Sequence, residues 1–86
     1  MEALVRTESS APVSPNQCKA ARALLDLTQT ELARLAKAGL STIVDFELER
    51  RNVSAEKIQD IRLALENAGI MFIDSDGVTL RRNRQK

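Results

Sequence analysis

Gln29 to Leu48 reads Q-T-E-L-A-R-L-A-K-A-G-L-S-T-I-V-D-F-E-L, and its apolar spacing decides the fold. Leu32, Ala33 and Ala36 fall at i, i+1 and i+4, on one face of a short helix. Ile43 and Phe46 stand three apart and open a second helix with the same inward demand. Lys37-Ala38-Gly39 lies between them, too short to link two domains. A bend of three or four residues containing glycine, between two short helices, is the pattern of a helix-turn-helix. Thr28 and Glu31 fit a capping box at the start of the first helix. There the hydroxyl takes an amide of the first turn and the carboxylate reaches back.

Outward from this stretch the chain continues helical. Ser14-Pro15-Asn16-Gln17 is a helix start: serine caps, proline occupies the first turn where its missing N–H is harmless, and Gln17 completes a box. The spacing predicts a helix to about Asp26, with Cys18, Ala21 and Leu25 on one stripe and Ala20, Leu24 and Leu27 beside it. On the far side, Arg50-Arg51-Asn52-Val53 reads as an exposed loop. Ser54 then caps a long helix to about Ala68, with Ile58, Ile61, Leu65 and Ala68 inward and Lys57, Asp60, Arg62 and Glu66 in water. Gly69 ends it. Ile70 to Ile73 and Val78 to Leu80 flank Asp74-Ser75-Asp76-Gly77, which predicts a short β-hairpin. Both faces of that hairpin are apolar, Ile70 and Phe72 on one and Met71 and Ile73 on the other. One face is expected to pack on the bundle and the other to invite dimerisation. The expected organisation is a mobile tail over 1–13, a helical domain over 14–69, and a hairpin with a basic tail over 70–86.

Composition narrows the function. An 86-residue chain holds one small domain, near the size at which a single core is marginal alone. With no Trp or Tyr and only Phe46 and Phe72 as aromatics, the core must be aliphatic, as in an all-α bundle. There is no histidine and one cysteine, so an internal disulfide, a zinc site and histidine catalysis are excluded. Cys18 reads as a small core residue, since no neighbour marks it as a thiolate. No catalytic constellation and no phosphate loop is present, and neither enzyme activity nor a cofactor is expected. No apolar run approaches the roughly 18 residues that cross a bilayer, and the N-terminus lacks a signal peptide's order, so no membrane partner and a cytoplasmic location are expected. Net charge is only +1, and the basic surplus gathers at Arg50-Arg51 and at Arg81, Arg82, Arg84 and Lys86.

At these residues the chain resembles the phage-repressor/Cro-like (XRE-type) helix-turn-helix proteins, over roughly Ser14 to Ala68. The residues that carry the resemblance are Gln29, Leu32-Ala33, Ala38, Ile43 and Phe46-Glu47, with Arg22 seven positions before Gln29. Three positions depart from the family pattern. Lys37 replaces a left-handed glycine, Gly39 replaces a capping Ser or Asn, and Glu49 replaces a common glycine. The resemblance implies a repressor-like bundle of about four helices with the motif at helices 2 and 3. It also implies an inward ion pair between Arg22 and Glu47, beside the plainer reading of Arg22 as an exposed helix charge.

The resemblance further implies a homodimer that regulates transcription, most simply as a bacterial or phage repressor reading double-stranded operator DNA. In that docking geometry the second motif helix enters the major groove. Gly39, Leu40, Ser41, Thr42, Val44, Asp45 and Leu48 are then outward. Ser41 and Thr42 would meet base edges or phosphate, Leu40 and Val44 thymine methyls, and Asp45 a cytosine amine. Gln29 would hold a phosphate, and Arg50, Arg51 and Asn52 would grip the backbone. This face is poor in Arg, Lys, Gln and Asn. A second expectation therefore stands beside the first: a protein-interaction module, such as an antitoxin or anti-activator, docking a partner on Leu40, Val44 and Leu48.

Overall fold

A computed structural model describes residues 12–50 and 52–81. Four helices are followed by one antiparallel pair of strands: α1 (Pro15–Leu25), α2 (Gln29–Ala36), α3 (Leu40–Leu48), α4 (Ala55–Asn67), β1 (Ile70–Ile73) and β2 (Gly77–Leu80). Among the described residues no helix is long and apolar enough to cross a membrane. Residues 1–11 of the tail expected over 1–13, Arg51, and the basic tail beyond Arg81 lie outside the described residues.

Local chemistry starts each helix. Ser14 Oγ accepts the Gln17 amide at 3.0 Å while Gln17 Oε1 accepts the Ser14 amide at 3.0 Å. Thr28 and Glu31 exchange the same two bonds at 3.0 and 2.8 Å, and Ser54 Oγ accepts the Lys57 amide at 3.2 Å. Helix ends are less conventional. α1, α2 and α3 each stop on a left-handed residue that is not glycine: Asp26 at φ 62°, Lys37 at φ 56° and Glu49 at φ 57°. Each supplies its amide to a carbonyl of the last turn. The left-handed backbone brings a steric cost of roughly 1–2 kcal/mol for a residue with a Cβ.

The three-residue break at Lys37–Gly39 turns α3 back onto α2, and α2 packs on both α3 and α4. Leu32, Ile43, Ile61 and Leu65 are fully buried at the centre. Each such side chain contributes roughly 1.5–3 kcal/mol by leaving water. Ala33 and Phe46 are also buried, and Ala38 packs against them half-buried. Small residues at Ala33 and Ala36 let the helices approach closely. Val13, expected in the N-terminal tail, is instead 3% exposed and belongs to the core. It directly precedes the Ser14 cap, and Cys18, the fourth residue of α1, lies in the same cluster; this is the staple pattern that fixes a chain's approach to a helix.

Two other expectations are corrected. Arg62, expected in water, is 5% exposed. Its Nε donates to Glu66 Oε2 at 2.9 Å, and its guanidinium carbon lies 4.8 Å from the centre of the Phe72 ring. The ring offers a π face and the carboxylate a countercharge, so the cation can leave water. Ala68, expected inward, is exposed.

The hairpin pairs Ile70 with Leu80, Met71 with Thr79, Phe72 with Val78 and Ile73 with Gly77. Its loop is Asp74 to Asp76, with Asp74 left-handed at φ 53°, so Gly77 lies in the strand and not in the turn. Glycine is needed there for close approach: a Cβ on Gly77 would fall 2.9 Å from Ile73 Cβ. Ile70 is buried, and Phe72, Val78 and Leu80 pack against the bundle, while Met71 and Ile73 face outward at 46% and 48% exposure.

Candidate functional site

Two features converge on α3: a buried polar cluster that holds its inner side, and an outer surface on which the helix carries no Arg or Lys. Glu47 is 2% exposed and receives four hydrogen-bond donors. Arg22 grips it in a fork, Nε to Oε2 and Nη2 to Oε1, both at 2.7 Å. Gln29 Nε2 donates to Oε1 at 3.0 Å, and the Cys18 thiol donates to Oε2 at 3.1 Å. A further Arg22 nitrogen donates to the Leu27 carbonyl at 3.1 Å. One carboxylate of α3 is thereby tied to two residues of α1 and one of α2. Forked pairing fixes orientation as well as distance, so it sets the angle at which α3 meets the bundle.

The same contacts set the acid–base state. Burial pushes the Glu47 carboxyl up, but the hydrogen bonds from Arg22, Cys18 and Gln29, with attraction to the guanidinium, together outweigh it. The carboxyl is held below its ordinary value. Burial, reinforced by donation to Glu47, pushes the Cys18 thiol well above the ordinary thiol range. Cys18 is a structural hydrogen-bond donor.

On the outer side, Gly39 caps α3 in an extended conformation with no side-chain bond, its carbonyl accepting the Thr42 and Ile43 amides at 3.0 and 3.3 Å. Ser41 Oγ and Thr42 Oγ1 both lie 3.9 Å from where a Gly39 Cβ would be, so the two hydroxyls flank the helix start. Ser41 is exposed; Thr42, Val44 and Asp45 are half-buried. Leu40 and Leu48 are exposed at 46% and 54%. Asp45 Oδ1 lies 3.7 Å from Arg50 Nη1, a pair at the solvent surface, and Asn52 is exposed. Arg51 lies outside the described residues.

The structure thus brings Arg22, Glu47 and Gln29 into one cluster, and sets Gly39, Leu40, Ser41, Thr42, Val44 and Asp45 along α3 with Arg50 at its end. Gln29, expected to hold a phosphate, turns an amide N–H inward to Glu47. Gln17 carries a role beyond capping that the sequence did not reveal. It is 1% exposed, and its Nε2 donates to the Asp74 and Gly77 carbonyls at 3.0 Å each, tying α1 to the hairpin. Its place one turn before Ala21, on the inward face of α1, was the available signal.

A groove of about 270 Å³ beside the end of α3 is lined by Pro15, Phe46, Glu49, Asn52, Val53 and Ile58. That is below the roughly 300–1,000 Å³ of ordinary small-molecule sites. Among the described residues no group of three or more metal-ligating side chains occurs. No family model matches the chain, and no curated protein matches it either.

Proposed function

We propose that the chain is a helix-turn-helix transcriptional regulator that binds double-stranded DNA as a homodimer, with α2 crossing the backbone and α3 in the major groove. The observation that carries this reading is the asymmetry of α3. Its inner side is pinned by the Arg22–Glu47–Gln29 cluster, while its N-terminus carries two hydroxyls and, among the described residues, no side-chain capping bond. Open helix N-termini favour phosphate, through free amides and the helix dipole. Ser41 and Thr42 are the base-edge or phosphate contacts, Leu40 and Val44 the methyl contacts, and Arg50, Arg51 and Asn52 the backbone grip.

Fluorescence anisotropy on DNA flanking the gene, at several salt concentrations, tests it. Binding should weaken linearly in log–log form as counterions are released, and Arg50→Ala with Arg51→Ala should flatten the slope. Absence of binding at low salt rejects it.

A second reading is favoured by a specific observation. Leu40 and Leu48 are about half exposed, as is Leu35 at the end of α2, and α3 itself carries no Arg or Lys. Such a face suits a protein partner, as in an antitoxin or anti-activator. Capture of a stoichiometric protein that survives Arg50→Ala with Arg51→Ala, and is lost with Leu40→Glu, supports it. The two readings coexist where one surface serves both partners.

A further inference from the structure

We propose that the outer edge of β1 is a self-complementary interface, through which two copies of this chain join their hairpins into one continuous antiparallel sheet. The ladder geometry shows which groups are offered. Ile70 lies opposite Leu80, so Gly69 lies opposite Arg81, whose amide donates to the Gly69 carbonyl at 2.7 Å. Hydrogen-bonded pairs alternate in an antiparallel ladder. Met71 with Thr79 and Ile73 with Gly77 are therefore the next bonded pairs. Ile70 and Phe72 must aim their N–H and C=O groups away from β2, along the other edge. Among the described residues the sheet has two strands. The Gln17 bonds hold the loop and β2, and α4, which packs on β1, meets its inner face, where the Arg62 guanidinium lies over the Phe72 ring.

Such an edge is ordinarily blunted by Lys, Pro, a bulge or an inward charge. Ile70-Met71-Phe72-Ile73 has none of these. The occupant that fits is a second β1. With the twofold axis at Met71, Ile70 of one copy faces Phe72 of the other, and every outward donor meets an outward acceptor. Moving the axis to Ile70 or Phe72 would recruit Ala68 or Asp74, the first in a helical turn and the second left-handed. Neither can serve as a strand residue. An isologous contact of this kind is the commonest form of small assembly. It carries no like-charge pair, and it extends a two-stranded hairpin that is marginal alone. The axis is perpendicular to the sheet, so both copies keep their helices on the same side. Three paired residues from each copy cover less than the roughly 800 Å² per partner of a tight complex, so the dimer should dissociate on dilution.

This inference shares with the proposed function only the expectation of a twofold dimer, and its test uses no DNA, so either can fail alone. Light scattering on the intact chain over a dilution series should give a mass moving between 9.5 kDa and twice that. Met71→Lys, at a half-exposed position, should remain monomeric with an unchanged helical circular dichroism spectrum. Met71→Cys should form a disulfide-linked dimer on mild oxidation, because the two Met71 side chains would be a directly opposed non-bonded pair about 4.5–5.5 Å apart. Thr79→Cys, one strand further out, should not. Cys18 is fully buried and does not compete. A chain that is monomeric at every concentration would overturn the proposal and leave the edge to a strand from another protein. A dimer unaffected by Met71→Lys, with Thr79→Cys cross-linking as readily as Met71→Cys, would also overturn it.

Discussion

At the scale of single residues, Glu47 concentrates the largest consequences. Glu47→Ala should cost roughly 3–5 kcal/mol, because it strands the Arg22 guanidinium at a partly buried site; urea denaturation measures it. Its carboxyl titrates below the ordinary 4.5 when folded. A depressed value means the stabilisation is complete above the unfolded value and is lost as pH falls through the folded one. Stability should therefore decline below about pH 4.5, and Glu47→Gln should remove that part of the decline. Cys18, fully buried and with its thiol raised, should resist thiol reagents in the native protein and react on unfolding. Lys37→Gly should do the opposite of most substitutions. It relieves a left-handed lysine and should raise stability by roughly 0.5–1 kcal/mol, the steric gain less the entropy of glycine, read from the same denaturation curves.

At the scale of elements, Gln17 determines whether the hairpin stays on the bundle. Gln17→Leu keeps the volume but removes the side-chain donor to the Asp74 carbonyl of the loop and the Gly77 carbonyl of β2, and should cost about 1–3 kcal/mol. Hydrogen exchange should show faster opening of β1 and β2 than of α2 and α3. The helices themselves were legible in the sequence, because Ser14, Thr28 and Ser54 are caps whose chemistry is local and whose apolar spacing repeats. The break at Lys37–Gly39 was legible for the same reason. Gln17 and Arg62 were not, because each owes its burial to a partner far along the chain: the carbonyls of Asp74 and Gly77 for one, the Phe72 ring for the other. The hairpin was legible from its two apolar runs and Asp-Gly, except that Gly77 joins β2, where the Ile73 side chain opposite it requires glycine. Of the candidate site, the outward residues of α3 followed from the inward ones, whereas the turning of Gln29 towards Glu47 required knowing where Glu47 lay.

At the scale of the whole molecule, the hairpin and the helices share one core. Ile70 is 2% exposed, and Phe72, Val78 and Leu80 pack against the buried cluster. A chain ending at Gly69 should therefore lose its cooperative thermal transition, as followed by circular dichroism, in addition to any loss of dimer. The charge of +1 gives little long-range attraction to nucleic acid, so the proposed DNA recognition would rest on a few well-placed contacts at α3 and should show a shallow salt slope. The most direct measurement is an amide-resolved NMR titration of the intact chain with DNA flanking its gene, at low salt. The expected result is saturable shifts at Leu40 to Asp45 and at Arg50, with the amides of α4 unmoved. Shifts confined to other elements, or none at all, would contradict DNA recognition by α3.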